Sequence, residues 1–201
     1  MTEVLVPPPR LARWVENFGT RHGGAALEVA SGALVGRAND GSTFSARLPF
    51  AASYDDVAEV DPFLDACAPP ERWGVLLVRK GGFAIARLER ATTVESKVGQ
   101  RHVQGRTKAG GQSQQRFARR RDNQARVAYE AAAEHAGRIL EAVELVVTGG
   151  DHAAVEAVLS DRRLAALVVV PPFLAVPDPK RGVLEQAVAD ACSVQIDVVN
   201  A

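Results

Sequence analysis

Cysteine is scarce in this 201-residue chain: only Cys67 and Cys192 occur, far apart and in no zinc or redox spacing. That excludes a disulfide framework and a thiolate metal centre, and leaves two free thiols of the kind a reducing cytosol permits. No apolar run approaches the roughly 20 residues that a membrane helix needs, so no membrane partner is expected. Nor does Thr2-Glu3-Val4-Leu5, followed by Pro7-Pro8-Pro9, have the charged start and apolar middle of a secretory leader. A cytoplasmic protein is the expectation. Histidine is rare too, and His22, His102, His135 and His152 share no metal-ligand spacing. Neither metal nor cofactor is expected, and the imidazoles are read as structural. Lysine is the last shortage, with 4 residues against 20 arginines.

Apolar residues make up 47% of the chain and the formal net charge is zero. Such a chain forms an ordinary globular core rather than a disordered tail, as one large domain or two small ones. The zero charge hides an asymmetry. From Lys97 to Arg126 there are nine Lys or Arg and a single acid, Asp122, so this stretch is eight charges positive and the remainder eight negative. Blocks of this kind ordinarily form a solvated helix face. Here the charge gathers around one glycine-rich loop, the footprint of a phosphate-backbone contact. Arginine supplies most of it, and its guanidinium fork suits phosphate oxygens.

The centre of that stretch is Gly110-Gly111-Gln112-Ser113, followed by Gln115-Arg116-Phe117-Ala118-Arg119-Arg120-Arg121. Two glycines let the backbone take positive φ and press against a partner with no Cβ in the way. The glutamine adds one acceptor and two donors without charge. A neutral, donor-rich tip on a cationic stem suits a loop that enters a nucleic-acid-lined site and steers a water there.

Around this loop the pattern alternates strands and helices, with a seam near Ala68-Pro69-Pro70. Before the seam, helical spacing runs from Arg10 to His22, and strands are expected over Ala25–Val35 and Ser42–Leu48 around the turn Asn39-Asp40-Gly41. Val57–Cys67 reads as a helix. After it, Trp73–Arg79 and Phe83–Glu89 form a hairpin around Lys80-Gly81-Gly82, and Thr92–Val98 continues the sheet. Ser113–Val143 is helical, polar at its front and alanine-rich at its rear. Strands over Leu145–Thr148, Leu167–Val170 and Val194–Val199 alternate with helices over Asp151–Leu159 and Lys180–Ala191. The continuous aliphatic run Leu167–Val170 is typical of a strand covered on both faces. The expected fold is α/β, a mixed sheet flanked by helices over residues 71–201, preceded by a small accessory α+β region over 1–70.

The loop and the Arg-Phe-Ala-Arg start of the following helix resemble the GGQ loop of the middle domain of archaeal and eukaryotic class-one peptide-chain release factors. The resemblance covers roughly Glu71 to Ala201, and the codon-reading and partner-binding domains have no counterpart. The chain looks more like the Vms-type release-factor-like peptidyl-tRNA hydrolases, and its arginine-rich, lysine-poor composition fits an actinobacterial member. The resemblance implies hydrolysis of the ester joining nascent peptide to tRNA on stalled ribosomes or large subunits. Gln112 would be the catalytic residue placed at the ester, its backbone N–H on the leaving oxygen or oxyanion and its side chain orienting water. Gly110 and Gly111 would permit the turn that puts it there. Arg106, Lys108, Ser113, Arg116, Arg119, Arg120 and Arg121 would bind RNA. The partners implied are the large subunit, its ribosomal RNA and peptidyl-tRNA, engaged by a monomer.

No side chain in the motif is a good general base at neutral pH, so ribose and ribosomal RNA would handle the protons. The alternative is a non-catalytic surveillance adaptor that uses the same fold to bind the ribosome or RNA. Thr148-Gly149-Gly150-Asp151-His152 follows a strand and opens a helix, but it lacks the lysine and length of a P-loop. It reads as a tight turn with Asp151 as helix cap.

Overall fold

The computed structural model describes residues 2–100 and 112–201, and over 112–125 it describes the backbone alone. In chain order the elements are β1 (Thr2–Val6), α1 (Pro8–Arg21), β2 (Ala25–Ala30), β3 (Ala33–Ala38), β4 (Thr43–Arg47) and α2 (Val60–Asp65). There follow β5 (Arg72–Arg79), β6 (Gly82–Glu89), β7 (Thr92–Gln100), α3 (Gln112–Ile139) and β8 (Leu145–Gly150). The chain then runs through α4 (His152–Leu159), β9 (Val168–Leu174), α5 (Arg181–Ala191) and β10 (Val194–Val199). Two compact units result. One comprises Met1–Pro70, Val170–Pro172 and Val188–Ala201, the other Glu71–Val169 and Phe173–Ala187.

The first unit is built on a five-stranded antiparallel sheet in the order β1-β10-β4-β3-β2. The strand expected over Val194–Val199 therefore lies in this sheet, between β1 and β4, with Ile196 opposite both Val4 and Ala46. Helix α1 starts on Pro8, whose fixed φ and missing N–H suit a first turn. It buries Leu11 and Phe18 against Phe44, Leu34 and Ile196. The single strand expected over Ala25–Val35 is a hairpin. Ser31 and Gly32 both take positive φ, 52° and 73°, the two-residue turn that matches strand twist.

The second unit is α/β. Its sheet runs β7-β6-β5-β8-β9, antiparallel from β7 to β5 and parallel between β5 and β8. Strand β5 buries six consecutive residues, Trp73 to Val78, as a central strand covered on both faces does. One face carries the rear of α3 and α4: Ala132, Ala136, Ile139, Leu140, Val155 and Val158 cluster with Leu76, Val78 and Ile85. The aliphatic run expected to be covered on both faces behaves otherwise. Strand β9 is outermost in the sheet, with a neighbour on one side only, and Val168 and Val169 are about half exposed.

Candidate functional site

The candidate residues fall on the join between β7 and α3. Arg106, Lys108, Gly110 and Gly111 lie outside the described residues. Gln112 is the first residue of α3, and Ser113, Arg116, Arg119, Arg120 and Arg121 follow in its first three turns, with side chains outside the description. What is defined is the frame at the two ends of the loop.

On the entry side, β7 pairs along β6 so that Gly99 lies opposite Phe83 and Gln100 opposite Gly82. The approach leaves no room for side chains at the two glycines. A Cβ on Gly99 would fall 2.5 Å from Cζ of Phe83, and one on Gly82 would strike the carbonyl oxygen of Gly99. The Phe83 ring also meets the His135 ring of α3, with centroids 5.6 Å apart. Nearby, Arg138 of α3 donates to Glu95 of β7, and Arg87 of β6 stands 3.7 Å from the same carboxylate. These ion pairs are partly exposed and contribute at most about 1 kcal/mol each.

On the exit side, α3 is seated by small residues. Ala132 and Ala136 are fully buried, and Leu140 presses onto the sheet where Gly74 has no side chain: a Cβ there would lie 2.5 Å from Leu140 Cδ2. Polar and cationic residues fill the front of the helix and alanines its rear. The alanine-rich rear read from sequence therefore lies in the stretch that packs.

Beside the middle of α3 opens a cleft of about 640 Å³ whose charged lining is Lys80, Arg126, Glu130, Asp161 and Arg163, with Tyr129 as its aromatic wall. Arg126 Nη1 donates to Glu130 Oε1 at 2.5 Å, one helical turn on. Asp161 accepts from Arg163 three times: from the backbone N–H at 3.0 Å, from Nε at 2.9 Å and from Nη2 at 2.8 Å. The Arg163 side chain, then its backbone N–H, holds the Asp161 carboxyl down at about 2. Sequence reading missed this cluster. Lys80 registered only as part of a hairpin turn, and Arg163 lies more than eighty positions away in sequence.

The Thr148–His152 segment is packed by backbone geometry. Gly149 lies so close to β9 that a Cβ would fall 2.5 Å from the Leu174 carbonyl oxygen, and Gly150 takes a φ of 104° hard against the Val78 carbonyl. Asp151 stands at the N-cap position of α4, but its carboxylate makes no capping bond. It turns instead toward Arg79 Nε, 3.8 Å away, while Arg79 Nη1 donates to the Val176 carbonyl at 2.8 Å. The described histidines have structural partners. His22 bonds Asp40 at 2.8 Å, His135 meets Phe83, and His152 stacks on Phe173. His102 lies outside the described residues. Among the described residues no cluster of His, Cys, Asp and Glu could hold a metal ion, and no helix is long and apolar enough to cross a membrane.

Among solved structures, the chain is similar to the archaeal translation termination factor aRF1, at 12% identity and a TM-score of 0.40, over 94% of this chain and 63% of that one. A structure described as an archaeal protein is similar at 14% identity and a TM-score of 0.38, over 77% of this chain and 50% of that one. The chain thus spans less than two thirds of the length of either. No curated protein matches it. The model of the Actinobacteria/chloroflexi VLRF1 release factor matches residues 71–197, most of the chain and nearly the same stretch that resembles the release-factor middle domain. The chain belongs to this VLRF1 release-factor family.

Proposed function

We propose that this protein is a peptidyl-tRNA hydrolase that frees nascent chains from tRNA on stalled ribosomes or large subunits. Membership of a release-factor family assigns it to peptide release or rescue in translation and implies contact with the ribosome. The observation that carries the finer reading is Gly110-Gly111-Gln112, set at the head of α3 inside the region that defines the family. The reaction needs a water on the ester carbonyl, an oxyanion stabilised as it forms, and a proton for the departing 3′ oxygen. Gln112 meets the ester: its backbone N–H faces the developing charge and its side chain orients the water. Gly110 and Gly111 let the chain turn into a narrow site. Arg116, Arg119, Arg120 and Arg121 hold RNA phosphates, as do Arg106 and Lys108. Two features support this division of labour. The rear of α3 is buried in the sheet, and the entry strand is locked to β6, so the loop works from a rigid base.

The test is peptide release from purified large-subunit–peptidyl-tRNA complexes by the wild type, Gln112→Ala and Gly111→Ala. Release should fall by roughly a hundredfold or more in both variants, the scale of losing one positioned group, with binding to the complex retained. Binding without release in all three would make the protein an adaptor that docks on the ribosome. Equal release from free peptidyl-tRNA would remove the ribosome from the mechanism.

A further inference from the structure

We propose that the cleft beside α3 binds a phosphodiester of an RNA strand, as a second anchoring site distinct from the Gly110–Gln112 loop. Three cations from three parts of the fold converge on it: Lys80 from the turn between β5 and β6, Arg126 from α3, and Arg163 from the segment after α4. The two acids in the lining are already taken, Glu130 by Arg126 and Asp161 by Arg163. The lining therefore carries one net positive charge, the complement of a single phosphodiester.

Arg163 is fixed rather than free to wander. The stem of Arg163 lies across α3 at Gly137, where a Cβ would fall 3.1 Å from its Cδ, and Asp161 grips one edge of its guanidinium. Nη1 of Arg163 makes no bond to Asp161 and remains a donor, as do Nε and Nη2 of Arg126 beside Glu130. A guanidinium held on one edge offers the other to phosphate at little further loss of side-chain freedom. Lys80 is exposed at its turn and has no anionic partner among the described residues. Continuity points to RNA as the source of the phosphate. Arg126 is the last cation of the run that starts at Lys97, so the cleft takes one of its cations from the basic stretch of the chain. An open cleft of about 640 Å³ admits a passing strand.

This inference rests on the reading of the chain as a factor that engages ribosomal RNA, but it is tested without peptide release. Binding of a labelled 30-nucleotide single-stranded RNA is measured against salt for the wild type, Lys80→Ala and Arg126→Gln. Loss of one phosphate contact lowers the log–log salt slope by about 0.7 and weakens binding about fivefold at 0.1 M salt. That is the expected result for Lys80→Ala, whose exposed position leaves the fold intact. Slopes and affinities equal to wild type in both variants would overturn the proposal. At constant ionic strength, 10 mM inorganic phosphate should leave the Lys80 effect unchanged. If it abolished the difference between wild type and Lys80→Ala, the site would belong to a small free anion and the RNA assignment would fall. The readout is RNA binding alone and involves no peptide release, so failure of the hydrolase reading and failure of the cleft remain separate results.

Discussion

Phe83 occupies the space in which a side chain on Gly99 would begin. A Cβ there would lie 2.5 Å from Cζ and 3.1 Å from Cδ1 of the ring. The two residues face each other across the β6–β7 ladder, and the ring reaches His135 of α3. One aromatic therefore joins the strand that leads into the Gly110–Gln112 segment to the helix that follows it. Gly99→Ala should displace the ring or the strand end, at about 1–3 kcal/mol, the usual cost of overpacking. Chemical denaturation measures that cost, and release should fall with it because the loop's entry is shifted. Phe83→Leu added to Gly99→Ala should restore part of both. A single variant with wild-type stability and release would show that the contact does not position the loop.

A similar relationship in the first unit gives a contrasting prediction. A Cβ on Gly36 would fall 2.6 Å from Cδ1 and from Cζ of Phe44, which is fully buried between Trp14 and Phe18 in edge-on contacts of 5.1 and 5.0 Å. The ring cannot move without breaking both. Gly36→Ala should cost roughly 3 kcal/mol and lower the urea midpoint. On the proposed function, peptide release by the protein that remains folded should continue at the wild-type rate. A stable variant that had lost release would bring the first unit into the reaction.

The elements legible in sequence are those whose signals are local. Lys80-Gly81 between two apolar strands fixed the β5–β6 hairpin, and the alanine spacing from Ala128 onward marked the buried rear of α3. Ser31-Gly32 was missed because it interrupts a run of small and apolar residues that alternates as a single strand would. The partners of β10 were not legible, since Ile196 pairs with Ala46 across 150 positions and no local pattern encodes such a pairing. Asp151 shows how one residue type serves two roles. An aspartate before a helix is ordinarily a cap, but Arg79 at the end of β5 draws its carboxylate away. The Gly110–Ser113 motif is readable for the opposite reason, as it consists of four consecutive residues.

Asp161 is a restraint on the charge of the cleft. Its partly exposed carboxylate is held down at about 2 by Arg163, so the ion pair persists at any pH used for ribosome work. The folded value lies below that of the unfolded chain, so any stabilisation from this pair is complete above about pH 4 and is lost as pH falls toward 2. Asp161→Asn removes the negative charge and leaves Arg163 unneutralised. If the cleft holds a phosphodiester, the variant should bind single-stranded RNA more tightly, by roughly fivefold at 0.1 M salt, with a steeper salt dependence. Weaker binding would mean that orientation of Arg163 matters more than the charge around it.

The two thiols make a prediction at the other end of the pH scale. Cys67 is buried and Cys192 half-buried, and burial pushes both up to about 11. Cys67 also donates to the Phe63 carbonyl at 3.3 Å, a bond that only the protonated form can make. The thiolate is the reactive species, so neither residue should react appreciably with a thiol reagent at pH 8 in the folded protein, whereas both should react once it is unfolded in urea. The same shift sets an alkaline limit. Since the folded values lie above the unfolded value near 8.5, the contribution to stability is complete below that pH and declines as pH rises toward 11. Cys67→Ala should flatten this decline, which urea midpoints at pH 8 and pH 10 would measure. A Cys67 that is modified rapidly at pH 8, with no loss of folded structure, would contradict its burial and its bond to Phe63.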